Sequence, residues 1–221
     1  MLIYTEKVKA PDIIALAPLA RIMQDASLHD IDKRGAGFAD LQANGVTWVL
    51  TQLNISVSRY PMPGEELVAA TWPTVSHLGM YPRRYELRDM TGAAIIRMHG
   101  IWVVMDMSAR TLVSFAHPGI DIGETDSEKL RPKRRIHIPT GGTVTQFSPE
   151  PHQIDVNRHL NNTAYIELTE RALPDMPHSV QIDFEHEILF GETVELRCVH
   201  ADDGFYFDGR TEKPCFKAFL H

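Results

Sequence analysis

The run Asp155-Val156-Asn157-Arg158-His159-Leu160-Asn161-Asn162 concentrates a carboxylate, three carboxamides and an imidazole in eight residues. In an extended segment Asp155, Asn157 and His159 alternate, so their side chains fall on one side while Val156, Arg158 and Leu160 face the other. An acid, an amide and an imidazole in one wall can move a proton and polarise a carbonyl. The chain then turns apolar at helical spacing through Tyr165, Ile166, Leu168 and Ala172, which predicts a helix over residues 162–173. Asn161 or Asn162 is placed to cap it, and its free N–H groups add positive field at the polar run. A capped turn with solvent-facing polar residues is the plain alternative.

A second carboxylate stands out in Asp183-Phe184-Glu185-His186-Glu187-Ile188, expected on a strand over residues 179–189 beside that helix. Apolar surroundings would raise the pKa of Glu187 towards neutrality and suit it to general base work. Alternation with Phe184, His186 and Ile188 equally allows a solvent-facing Glu187. The spacing of His152, Asp155 and His159 invites a metal reading, but no convincing third nitrogen or sulfur ligand lies nearby, so no metal is expected.

The pattern Asp-x-Asn-x-His-x-Asn-Asn-x-x-Tyr-Ile at 155–166 resembles the signature of the acyl-acyl carrier protein thioesterases, a plant and bacterial family with two fused hotdog domains. Trp48-Val49-Leu50, Arg59-Tyr60-Pro61, Gly64-Glu65, Thr71-Trp72, Arg88-Asp89, Gly92 and Trp102-Val103-Val104-Met105 follow the family's order and spacing, so the resemblance covers nearly the whole chain. It implies an α+β tandem double hotdog, each half an antiparallel sheet wrapped around a central helix, that hydrolyses fatty acyl-carrier thioesters in fatty acid biosynthesis. Carried over position by position, the catalytic residues are Asp155, Asn157, His159 and Glu187. Glu187 activates water, Asp155 and His159 orient it or relay the proton, and Asn157 donates its amide to the thioester carbonyl. Many plant members carry Cys after that glutamate; here Ile188 stands there, which excludes a cysteine nucleophile and leaves direct attack by water. No cofactor is implied, because phosphopantetheine arrives on the substrate's carrier protein. An acyl-coenzyme A thioesterase and a non-catalytic acyl-binding protein are the alternatives.

Composition frames that reading. The chain has 221 residues, 43% hydrophobic and 23% charged, as in ordinary globular proteins. A net charge of −7 argues against a nucleic-acid partner, which needs a basic face. No apolar run reaches the roughly 18 to 20 residues of a membrane helix, and the start shows neither signal nor transit character, so a cytoplasmic bacterial form is expected. Cys198 and Cys215 are too few and too far apart for a disulfide framework or metal motif and are read as reduced strand residues. The densest positive run, Arg131, Lys133, Arg134 and Arg135, with Arg83 and Arg84 as further members, is a candidate docking patch for an acidic acyl carrier protein; a solvated linker without a partner is the alternative.

Two rounds of similar elements must position these groups. A helix over 11–29, with Pro18 expected to kink it, is followed by a loop over 31–44 and strands over 46–60, 66–76, 82–89 and 93–105. After a linker at 118–139 come a strand over 143–147, the polar run, the second helix, and strands over 179–189, 192–200, 205–210 and 215–220. Ile55, Gly64 and Glu65 recur as Ile182, Gly191 and Glu192 at an offset of 127, which supports two copies of one fold. The expected division is an N-terminal domain at 1–117, non-catalytic and forming the acyl tunnel, the linker at 118–139, and a catalytic domain at 140–221. Pairing of the copies creates a long apolar slot for an acyl chain. It removes the need for a second chain, and a homodimer remains compatible with it.

Overall fold

The computed structural model describes residues 3–113, 120, 122–123, 125–155 and 158–221. Val156 and Asn157, within the polar run, lie outside the described residues.

The first half runs β1 (Tyr4–Lys9), α1 (Leu16–Lys33), α2 (Phe38–Ala43), β2 (Val46–Val57), β3 (Glu66–Pro73), β4 (Met80–Asp89), β5 (Ala94–Asp106) and β6 (Thr111–Leu112). The second runs β7 (Thr143–Phe147), α3 (Ala164–Glu170), β8 (Ser179–Phe184), β9 (Val194–Ala201), β10 (Gly204–Arg210) and β11 (Pro214–Leu220). All pairings between these strands are antiparallel, in the order β1-β3-β4-β5-β2-β8-β11-β10-β9-β7, with β6 on β5. Read outwards from the β2–β8 junction, the halves have the same topology: β2-β5-β4-β3-β1 matches β8-β11-β10-β9-β7.

The repeat inferred from three residues is thus built into the register. At the junction Asn54 faces Gln181, residues 127 positions apart, and the flanking pairs Leu53–Ile182 and Ile55–Val180 exchange under the same shift. A two-fold relation therefore passes through that pair. The repeated Gly-Glu is one turn used twice: Met62 N–H donates to Glu65 Oε2 at 2.8 Å and Leu189 N–H to Glu192 Oε2 at 2.6 Å. Gly64 and Gly191 supply the left-handed φ of 71° and 91° that a side chain would resist.

α1 begins at Leu16, five residues later than expected. Pro18 then falls in the first turn, where its missing N–H would have had no intrahelical partner, so it need not kink the helix. Leu16, Leu19, Ala20 and Met23 of α1 and Tyr165 and Ile166 of α3 pack with Leu53, Ile55, Leu67, Tyr85, Ile182, Phe207 and Phe216 of the sheet in one core shared by both halves. β1, whose alternate residues are only half buried, and the six-residue α2 inside the expected loop were not legible from periodicity. No helix among the described residues is long and apolar enough to cross a membrane.

Behind the junction the sheet buries polar side chains, and the linker answers them. Gln52 accepts from Lys133 N–H at 2.6 Å and donates to the Lys133 carbonyl at 3.1 Å and to Asp183 at 2.7 Å. Asp183 accepts from Ile136 N–H at 2.7 Å, and Gln181 donates to the Arg134 carbonyl at 2.9 Å. Unpaired, these buried groups would each cost about 1–3 kcal/mol, so the segment is strapped down. His99 pairs in register with Asn54 and Arg84. Burial, with Lys133 and Arg84 nearby, pushes its pKa down from 6.5 to about 4. Between those values the unfolded chain binds a proton that the folded chain does not, so His99 makes stability fall as pH drops through that window. His99→Gln is expected to flatten the denaturation midpoint between pH 6.5 and 4; a pH dependence unchanged from wild type would show the ring is already protonated when folded.

Candidate active site

Asp155 and His159 do not lie along one extended strand. Asp155 N–H donates to the His159 carbonyl at 2.8 Å, His159 N–H to Asp155 Oδ1 at 3.0 Å, and Arg158 N–H to the Asp155 carbonyl at 3.0 Å. Arg158 closes this turn at φ 66°, a left-handed conformation uncommon for a side-chain-bearing residue. Asp155 and His159 therefore meet across a tight turn rather than along a strand face, and the Asp155 carboxylate accepts from the His159 backbone. Alternation fails because local pairing satisfies the backbone within the loop. Neither Asn161 nor Asn162 caps α3, whose N-cap position is Thr163; Asn161 Oδ1 instead accepts from Thr163 N–H at 3.0 Å and Thr163 Oγ1 at 2.8 Å, closing a turn just ahead of the helix. α3 has seven residues, not twelve, and ends before Pro174, so the field expected from a long helix is reduced.

β8 ends at Phe184, short of Glu187. Beyond it Glu185 and His186 N–H both donate to the Cys215 carbonyl, and the chain turns against the polar loop, where Leu160 N–H donates to the Ile188 carbonyl at 2.8 Å and His159 bridges Leu189. These bonds carry Glu187 to the loop. Its side chain is about one-third exposed (36%) and lies close enough to His159 to feel its charge. The expected rise in its pKa is reversed. Burial does push it up, but the Glu187 N–H, the Arg110 guanidinium and His159 together hold it below the ordinary glutamate value. A cation from the other half thus adds to the hold of the backbone N–H on the carboxylate.

That cation is Arg110, in the turn between β5 and β6, whose guanidinium donates to Glu187 Oε1. The first half thus brings a charge to the site, contrary to the expectation that it contributes only a wall. Tyr165 was read as an apolar helix residue. It is 3% exposed, held edge-on between Phe184 and Phe216, and burial drives its pKa up, with Cys215, Glu187 and Asp155 pushing the same way. A buried phenol needs a polar neighbour, and that was the available signal. By the two-fold relation Tyr60 stands where Glu187 stands; it donates to the Pro177 carbonyl at 2.6 Å. Beside it Glu170 accepts from Leu16 and Ala17 N–H at 2.8 and 3.2 Å and fills the start of α1.

The other expected residues separate. Arg131, Lys133, Arg134 and Arg135 are all exposed on the strap, with Arg135 3.9 Å from Asp183. Arg83 cannot join a docking patch, being 6% exposed and paired with buried Asp30. Arg84 is half-buried and donates to Glu128. Cys198 and Cys215 are free thiols on β9 and β11, and burial raises the Cys198 pKa. Among the described residues no group of three or more His, Cys, Asp or Glu could hold a metal ion. Two cavities flank the helices: one of about 650 Å³ opens between the start of α1 and α3, lined by Ala17, Arg21, Gln153, Asn161, Thr163 and Glu170, and one between α1, α2 and β4 holds about 30 Å³, walled by Phe38, Trp48, Tyr81, Arg83, Tyr85 and Trp102. The second has room for about one water. Met23, Leu50 and Leu53 sit in the shared core.

Comparison with known proteins agrees with this architecture. The sequence model of the acyl-ACP thioesterase N-terminal domain matches residues 1–119, and that of the C-terminal domain matches residues 137–213. A chloroplastic acyl-[acyl-carrier-protein] hydrolase of Cuphea viscosissima is 26% identical over 202 residues, 83% of this chain and 47% of the relative. A chloroplastic palmitoyl-acyl carrier protein thioesterase of Arabidopsis thaliana is 26% identical over 65% of this chain and 39% of its own length. The chain thus spans half or less of the length of these relatives. In structure it resembles an acyl-ACP thioesterase from Bacteroides thetaiotaomicron, with a TM-score of 0.87 and 19% identity over 99% of this chain and 96% of that one. A 12:0-ACP thioesterase from Umbellularia californica gives 0.80 at 18% identity, covering 99% and 96%. The architecture is the double hotdog, and with both halves matched in order, the chain belongs to the acyl-ACP thioesterase family.

Proposed function

We propose that this chain hydrolyses fatty acyl-[acyl carrier protein] to free fatty acid and carrier protein by direct attack of water. The observation that carries the reading is the approach of Glu187 to the Asp155–His159 turn, with Glu187 ionised and partly open to solvent. Glu187 takes a proton from water as the water oxygen bonds to the thioester carbonyl carbon; collapse breaks the C–S bond, and the proton passes to the departing thiolate. His159, beside Glu187, orients the water, and Asp155 holds the His159 backbone. Asn157 donates to the developing oxyanion, an effect on the scale of about 3–4 kcal/mol when such a donor is removed. The acyl chain enters between α1 and the first sheet by displacing side chains around the small cavity there.

The exposed cations Arg131, Lys133, Arg134 and Arg135 are offered to the acidic carrier, since the strap fixes their backbone and leaves the side chains in solvent. Thiol release from the same acyl group on carrier protein, coenzyme A and pantetheine tests both parts. A carrier preference that weakens with salt is expected. Equal rates on carrier and coenzyme A would make the chain a general acyl thioesterase, and binding without release from any of the three would make it an acyl-binding protein.

A further inference from the structure

We infer that Arg110, supplied by the N-terminal half, is a positioning residue for Glu187: its guanidinium fixes the carboxylate, so the site is complete only with both halves in place. The inference rests on the proposed role of Glu187 in hydrolysis.

Arg110 is presented by a turn built for the purpose. Asp106 accepts from Ser108 N–H at 2.9 Å, Ser108 Oγ at 2.8 Å and Ala109 N–H at 2.8 Å, while Arg110 N–H closes on the Asp106 carbonyl at 2.9 Å. β6 then folds back onto the end of β5, pairing Thr111 with Asp106 and Leu112 with Met105. Arg110 sits in this turn at φ 55°, a conformation that costs a residue with a side chain roughly 1 kcal/mol or more and persists when the surroundings enforce it. The result is a cation aimed across the junction at a residue 77 positions away. Because Arg110 is 56% exposed and Glu187 36%, the pair itself adds little to stability. Its effect falls on where the carboxylate points and on its charge.

The charged and titratable groups facing Glu187 are Arg110 from the turn, His159 and Asp155 from the polar loop, and Tyr165 from α3; Glu192 closes the following turn on Leu189 N–H. Arg110 is the cation paired with it. Removing Arg110 frees the carboxylate to rotate and raises its pKa, so the base form is lost at a higher pH than in wild type.

Acyl-pantetheine hydrolysis by wild type, Arg110→Met and Arg110→Lys, across pH, tests this. The Met variant is expected to lose about tenfold in kcat with KM within about twofold, and the Lys variant to recover most of the loss. The acidic limb of kcat/KM should move upward in the Met variant, and in a Glu187→Ala background Arg110→Met should cost nothing further. An additive loss with an unmoved acidic limb would make Arg110 a plain tie between halves and overturn the inference. Carbon-detected titration of the Glu187 carboxyl, expected to rise in Arg110→Met, decides the hold of Arg110 on Glu187 even if wild type releases no thiol, an outcome that would instead remove the proposed activity.

Discussion

Glu187→Ala is expected to lower kcat for acyl thioester hydrolysis by roughly 10³-fold, within the range spanned by loss of a positioned general base. Glu187→Gln should be nearly as damaging, because it keeps the shape and removes the proton acceptor. KM should change little in either, since the residue acts on water and not on the acyl chain. Stability should hardly move, because the side chain is partly exposed and its ion pair is screened. Asp155→Ala is expected to act differently. It accepts from the His159 N–H, so its removal loosens the turn and cuts kcat through misplacement of His159. Wild-type Glu187 is held below the ordinary glutamate value, so hydrolysis should keep its full rate on acidification until the pH falls beneath that value. Thiol-release rates for the three variants beside far-ultraviolet circular dichroism decide the matter; a folded Glu187→Ala with wild-type kcat removes Glu187 from the chemistry.

The largest effect on stability is expected at Asp30, not at the site. Asp30, 3% exposed on α1, accepts from Arg34 Nε at 2.8 Å and from the Arg83 guanidinium, and Arg83 is itself 6% exposed with a second bond to Thr71 Oγ1 at 3.1 Å. One carboxylate thus serves two guanidinium groups inside the fold. Asp30→Ala leaves both without a counter-charge and should cost about 3–5 kcal/mol, the usual penalty for breaking a buried pair from one side. At a fall of roughly 2–4 °C per kcal/mol for a chain of this size, the melting temperature drops by about 10 °C. Replacing Arg83 by Leu in the same molecule should return part of that, because it removes one of the two stranded charges and leaves Arg34, whose side chain is 15% exposed. Thermal melts of the single and double variants check this, and a single-variant loss under about 1 kcal/mol would mean that water reaches the guanidinium groups.

Some of the fold was legible because the signal was local. Hydrophobic alternation found the core strands of both halves, with β7 at its observed bounds, and the Gly-Glu turn recurred because the same left-handed φ and the same glutamate cap are needed at both places. β1 was missed because its alternation is half-buried and charged, and α2 because six residues carry too little periodicity. Residue type marks Asp155 and His159 as candidates, but spacing places them on a strand face where backbone pairing of Asp155 with His159 makes a turn.

The amino-acid order alone determined the family pattern, the two-fold plan and the identity of the polar groups, since each is carried by residue types and their spacing along the chain. Only the folded chain decided the charge on Glu187 and the use of Glu170 to hold the start of α1. Each of those follows from side chains that are distant in sequence and meet across the junction, as Arg110 meets Glu187 and Glu170 meets Leu16. Burial and electrostatics act through space, and spacing along the chain does not carry them.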